Sequence, residues 1–172
     1  MKKILSAIAG MALILNLSVS VWAGSETTTM NVQATVPEAV TVSASPLDFG
    51  PLSASNYTYA NSTITVNAAS GLPYHIAIDA GQHYFFNFRH VEVSGGTATV
   101  TYWLFKDDSY GLDQEWGDSD YGNTFPEGSS SGPHTGDGTD QVHTVYGRAH
   151  QFGGSIRPAG TYTDAVTVTV HY

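Results

Sequence analysis

Several stretches hold residue types that could do chemistry. Asp118-Ser119-Asp120-Tyr121-Gly122 starts like a calcium loop, in which alternating carboxylates surround a hard cation and a bidentate Glu closes the twelfth position. Counted from Asp118, that position holds Ser129, so the segment reads as a solvated acidic loop. Seven histidines raise a metal hypothesis. His75, His83 and His90 are not at zinc-ligand spacing, and His143 and His150 stand seven apart, so they read as surface or groove residues. Asp107/Asp108 and Asp113/Glu115 are carboxylate pairs of the type a glycosidase uses, but they sit in a polar stretch without an aromatic cleft. No serine lies in a nucleophile elbow, and no glycine-rich phosphate loop follows a strand and opens a helix. With no cysteine in the chain, thiol chemistry and cysteine-based metal sites are excluded. The expectation is no catalytic residue, no metal and no cofactor.

The informative chemistry is backbone pairing. Gly160 to Tyr172 alternates strictly: Val166, Val168, Val170 and Tyr172 share one face, and Ala165, Thr167, Thr169 and His171 the other. This pattern predicts a half-buried final strand. A second run of the same type, Ser25 to Val36, sets Thr28, Met30, Val32, Ala34 and Val36 against Thr27, Thr29, Asn31, Gln33 and Thr35. It has no evident partner nearby. The two runs are expected to pair between different molecules, side by side in a fibre.

Residues 1–23 read as a secretory signal: Lys2 and Lys3, an apolar stretch from Ile4 to Val21, then Val21-Trp22-Ala23 as a cleavage site. No other stretch approaches the apolar length of a spanning helix, so no membrane insertion is expected after cleavage. Loss of the two lysines takes the formal net charge from −9 to −11. A chain this acidic is not expected to bind nucleic acid.

The extension of residues 24–37 is followed by a domain over residues 38–172. Pro37-Glu38 interrupts the first strand, and Ala39 to Ala44 forms another. Ser62 to Ala68 and Tyr74 to Asp79 read as the arms of a hairpin around Gly71-Leu72-Pro73. Phe85, Phe86, Phe88 and Val91 suggest a short buried piece around Arg89. Ser94-Gly95-Gly96 turns into a strand over Thr97 to Phe105, and Gln141 to Ala149 forms one more. Asp107 to Asp140 reads as a polar insertion, partly ordered by Trp116, Tyr121 and Phe125, which are also the candidates for a carbohydrate contact. Tyr102, Trp103, Phe105, Tyr146 and Tyr162 are expected in the core, with one ring of Tyr102-Trp103 facing out. Arg89 and Arg148 are expected to pair with Asp79 or Asp164. About seven to nine strands, with no helical period, predict an all-β antiparallel sandwich.

The order Leu47-Asp48-Phe49-Gly50, Ser62-Thr63-Ile64-Thr65-Val66, Gly71-Leu72-Pro73-Tyr74, Ile78-Asp79-Ala80-Gly81, Arg89, Val100 to Asp107, Trp116-Gly117-Asp118, Val145-Tyr146-Gly147-Arg148 and Pro158 to Val170 resembles the spore coat protein U domain family. That family includes subunits of archaic chaperone–usher pili. The resemblance spans essentially the whole mature chain. It implies an incomplete immunoglobulin-like sandwich completed by donor-strand exchange. A periplasmic chaperone fills the gap first, and the N-terminal extension of a neighbouring pilus subunit fills it after an outer-membrane usher. On this reading Thr28, Met30, Val32, Ala34 and Val36 enter the groove, and Val166, Val168, Val170 and Tyr172 form its edge strand. The resemblance also implies a disulfide at the positions of Val40 and Ala68, both apolar here. The expected function is a surface-fibre subunit supporting adhesion and biofilm formation. A spore or cyst coat protein, a carbohydrate-binding module using the Asp107–Asp140 stretch and a secreted enzyme are the alternatives.

Overall fold

The structure is a computed structural model describing residues 24–35, 39–151 and 157–172. The predicted signal, the donor position Val36 and residues 152–156 of the glycine-bearing loop lie outside the described residues. The chain divides into two units, with the boundary between Thr35 and Val36. In the first, residues 24–35 form no strand and are exposed throughout.

The second unit is built of antiparallel strands: β1 (Val40–Ala44), β2 (Thr58–Ala68), β3 (Pro73–Ile78), β4 (Tyr84–Phe85), β5 (Phe88–Val93), β6 (Thr99–Phe105), β7 (Ser131–Thr135), β8 (Asp140–His150), β9 (Tyr162–Thr163) and β10 (Val168–His171). The helical element among the described residues is one 3-10 turn, Leu112–Gln114. A seven-stranded sheet runs β1-β2-β8-β6-β5-β4, with β9 also on β5, and a three-stranded sheet runs β10-β3-β7. The all-β sandwich expected from the strand periods is therefore present. Its core lies where the inward residues of the two sheets meet: Ile64, Val66, Ala68, Tyr102, Leu104 and Val145 from one, Tyr74, Ile76 and Ile78 from the other. Alternating side chains put one face of each strand into this layer, and the burial of apolar surface holds it together.

Four expectations are corrected here. First, β2 and β3 are not a hairpin. β2 pairs with β1 and β8, whereas β3 pairs with β10 and β7. The Gly71-Leu72 turn is a corner between sheets, because the inward faces of both strands are needed on opposite sides of one core.

Second, the final run is not one strand. β9 pairs with β5, and β10 pairs with β3 in the other sheet. The chain crosses between sheets at Asp164, whose carboxylate accepts the Gln82 N–H at 2.9 Å and the Tyr102 hydroxyl at 2.5 Å and lies 3.0 Å from His83 Nδ1. These bonds fix the crossing. Tyr172 lies beyond β10 and is exposed.

Third, the phenylalanines around Arg89 are outside and Arg89 is inside. Phe85, Phe86 and Phe88 are exposed, while Arg89 is fully buried. Phe86 and Asn87 form the tip of the β4–β5 hairpin with φ of 46° and 65°, and in a two-residue turn of this kind the tip projects away from the sheet.

Fourth, the Asp107–Asp140 stretch is not a polar insertion. It supplies β7 to the three-stranded sheet and the buried Trp116 and Phe125. It also packs backbone on backbone. A Cβ on Gly117 would stand 2.2 Å from the Gly128 carbonyl carbon, an approach only glycine allows. Asp118 organises the turn. Its carboxylate accepts the N–H groups of Phe125 at 2.6 Å and Thr124 at 3.1 Å. Burial alone would raise its pKa, but these bonds hold it below the usual carboxylate range.

Candidate functional site: an open groove between sheet edges

The two sheets do not close along one side. Among the described residues, β1 pairs only with β2, and β10 only with β3. Each strand thus leaves one backbone edge unpaired. At one end of these edges lies a groove of about 630 Å³, lined by Ala44 with the loop over residues 45–52, by Pro158, Val166 and Val168, and by Ile64, Val91 and Leu104 among others. The lining is the core itself, seen from the side where a cover is missing. Unpaired edges beside apolar surface are what natural sheets normally hide.

The register shows how incomplete the cover is. Val40, Val42 and Ala44 stand opposite Ala68, Val66 and Ile64. Directly paired residues share a face, so all three point inward. Their partners are buried, yet Val42 is 43% exposed. On the other bank, Val166, Val168 and Val170 are partly buried against the core while Thr167 and Thr169 face out. Of the residues predicted to line the groove's edge, Val168 and Val170 lie on the inward side of β10 and Val166 just before it, while Tyr172 lies beyond the strand and is exposed. Of the predicted groove-filling residues, Thr28, Met30, Val32 and Ala34 belong to the exposed unit, with Met30 and Val32 exposed by 81% and 84%. Val36 lies outside the described residues.

Polar residues near the core are structural. Arg89 makes no ion pair with Asp79. Its Nε donates to the Asp79 carbonyl at 2.9 Å, Nη1 to the Trp116 carbonyl at 3.0 Å and Nη2 to the Ile78 carbonyl at 3.0 Å. The guanidinium also lies 3.7 Å from the Phe125 ring centroid. It fastens the Trp116 segment to β3, and the register that pairs Arg89 with Tyr102 explains why it points inward. The expected Arg148 ion pair is absent too: Arg148 sits among the rings of Tyr57, Trp103 and Phe105. Tyr102 and Trp103 point to opposite faces, but both are buried, Trp103 beneath Tyr57 and Phe88.

Sequence spacing missed one cluster. The Tyr74 hydroxyl lies 3.0 Å from His143 Nε2, and the His134 and His143 rings are 4.4 Å apart. Burial first, and then a neighbouring imidazole, holds both histidines below their ordinary pKa. Three His, Cys, Asp or Glu side chains in metal-binding array do not occur among the described residues. Of the three candidates for a sugar contact, Trp116 and Phe125 are buried in the core, while Tyr121 is 41% exposed and stacks on His171 with ring centroids 3.9 Å apart.

The family model described as the Spore Coat Protein U domain matches residues 26–169. Among solved structures, one similar chain comes from the pre-assembly complex of the CsuC chaperone and CsuE tip adhesion subunit of archaic chaperone–usher Csu pili in Acinetobacter baumannii. It is 24% identical with a TM-score of 0.56, and the match covers 80% of this chain and 41% of that one. This chain thus spans less than half the length of that solved relative, and the likeness is one of fold. No curated protein matches the chain in sequence.

Proposed function

The chain belongs to the Spore Coat Protein U domain family, and from that premise we propose that it is a subunit of a chaperone–usher surface fibre that polymerises by donating strand Ser25–Val36 to another copy or a close relative. The observation that carries this reading is the exposure of inward-facing Val42 between two unpaired edges. A strand added to one of these free edges covers Val42. This is β-augmentation, with backbone bonds for affinity and alternate side chains for fit. Met30 and Val32 contribute about 1.5–3 kcal/mol each on burial.

Before assembly the same groove needs a temporary cover, which is the place of a periplasmic chaperone. An outer-membrane usher then exchanges that cover for the next subunit's extension. The subunit works by pairing and not by catalysis, and the fibre it builds serves adhesion and biofilm formation at the cell surface. The solved relative in complex with its chaperone supports this order of events. Val32→Asp tests the donor assignment. The variant is expected to reach the periplasm and bind chaperone but to form no fibre, because a carboxylate entering an apolar pocket loses its hydration without compensation. Normal fibres from Val32→Asp would refute the assignment.

A further inference from the structure

A second surface lies on the opposite face of the large sheet from the core. The register sets Tyr59, Arg148 and Trp103 in one row across β2, β8 and β6. The Arg148 guanidinium carbon stands 4.9, 4.8 and 4.8 Å from the ring centroids of Tyr57, Trp103 and Phe105. Tyr110 closes one side, 4.8 Å from the Tyr59 ring and 5.4 Å from that of Phe105. Tyr57 and Tyr59 remain 42% and 52% exposed.

Arg89 and Arg148 make an instructive pair. Arg89 spends its donors on three carbonyl groups, as a structural arginine does. Arg148 Nε is buried with no hydrogen-bond partner, and no carboxylate among the described residues forms an ion pair with it. This holds in a chain with fifteen acids and six basic residues. The acid whose charge it does reach, Glu115, is itself buried, with its pKa raised to about 7. Rings hold the fork in place while no carboxylate among the described residues lies in ion-pair contact with it. A fork so preorganised suits a carboxylate.

We propose that this face binds a saccharide bearing a carboxylate, with Arg148 taking the acid group and Tyr57 and Tyr59 packing against the sugar ring. The chemistry of the surroundings selects this class. The net charge of the chain repels a polyanion as densely charged as a nucleic acid or a heavily sulfated glycan, leaving a ligand with no more than one charge per sugar. An extended peptide would bind through an unpaired backbone edge. β2, β8 and β6 each have a partner on both sides, so only ring faces and the guanidinium are on offer. Aromatic side chains with one apolar face and a polar tip fit a pyranose better than a strand.

The test is calorimetric titration of the full chain, in its assembled form, with tetramers of galacturonic acid and of mannuronic acid. A neutral galactose tetramer and a Glu-rich peptide of equal charge serve as comparisons. At least one uronate tetramer is expected to bind ten times more tightly than the neutral one and the peptide. Arg148→Gln is expected to weaken that binding at least tenfold. Arg148→Lys, which keeps the charge but not the fork, and Tyr59→Ala, at an exposed ring, are each expected to weaken it several-fold even if Arg148→Gln fails to assemble. Failure of both uronates to bind, equal binding of the peptide, or unchanged binding by Arg148→Lys and Tyr59→Ala would overturn the proposal. Fibre formation is read separately from sugar binding, so a failure of strand donation is not mistaken for a failure here.

Discussion

Val42 and Val66 face each other directly across β1 and β2 and point to the same side of the sheet, yet Val66 is fully buried and Val42 is 43% exposed. A self-sufficient sandwich would bury both, because its edge strand would lie beneath the opposite sheet. Among the described residues the opposite sheet has three strands, β10-β3-β7, and it leaves Val42 exposed.

Val40 and Ala68 can carry the cross-link that the resemblance implies at their positions. Ala69 N–H donates to the Ala39 carbonyl at 3.1 Å and Ser45 N–H to the Thr63 carbonyl at 2.9 Å. Val40 and Ala68 therefore form a non-hydrogen-bonded pair, in which Cα atoms approach to about 4.5 Å, within disulfide reach. The double variant Val40→Cys/Ala68→Cys is expected to oxidise within the chain and gain about 2–4 kcal/mol over its reduced form. Thiol titration and denaturant midpoints measure both. Persistent free thiols under air would contradict the register.

Arg89→Met keeps the length of the side chain and removes its donors. The carbonyls of Ile78, Asp79 and Trp116 then lose these partners at a site where Arg89 is fully buried. At about 1–3 kcal/mol for each buried group left unsatisfied, a loss of roughly 3 kcal/mol or more is expected in chemical unfolding. The tryptophan fluorescence of Trp116 should also become more solvent-like. A loss under about 1 kcal/mol would show that the segment is held in another way.

The strands were legible where one face is buried. The alternations at Val40–Ala44, Ser62–Ala68, Val100–Phe105 and Val166–Val170 announce their inward residues, and the structure buries or half-buries most of them. Periodicity names a face but not a sheet. For that reason Ser62–Ala68 and Tyr74–Ile78 looked like a hairpin, although a corner separates them. Arg89 could have been read as inward from its place in the β5 alternation, but a charged residue there is legible only once the carbonyls it serves are known. The Asp107–Asp140 stretch was opaque for a different reason. It is held by Gly117 against Gly128, by Asp118 turned onto backbone N–H groups and by two aromatic anchors, none of which has a period. The open groove was legible only as a surplus: an alternating N-terminal run with nothing in its own chain to pair with.

Glu115 should give the protein an unusual pH response. Burial raises its folded pKa from 4.5 to about 7, so between these values the folded chain holds a proton that the unfolded chain has lost. Its contribution to stability is fully present below about pH 4.5 and is lost as the pH rises through 7. The buried His90 and the half-buried His134 and His143, with pKa values lowered first by burial, act in the opposite sense, and their contribution is lost as the pH falls. Comparison with Glu115→Gln isolates the carboxyl. The variant is expected to match the parent near pH 4.5 and to exceed it at pH 8 in urea unfolding. Parallel pH profiles for the two proteins would show that Glu115 is not the titrating group.

The groove is the centre of the account, and an isotope-mixed cross-link probes its occupant directly. Heavy and light chains carrying a photo-reactive residue in place of Val32 are assembled together and irradiated. Cross-links are expected from position 32 to the groove lining around Ala44, Phe49 and Val168, joining heavy to light chains in the proportion set by the mixture. Cross-links confined to heavy–heavy and light–light pairs would mean that each chain fills its own groove, and strand donation between molecules would be wrong.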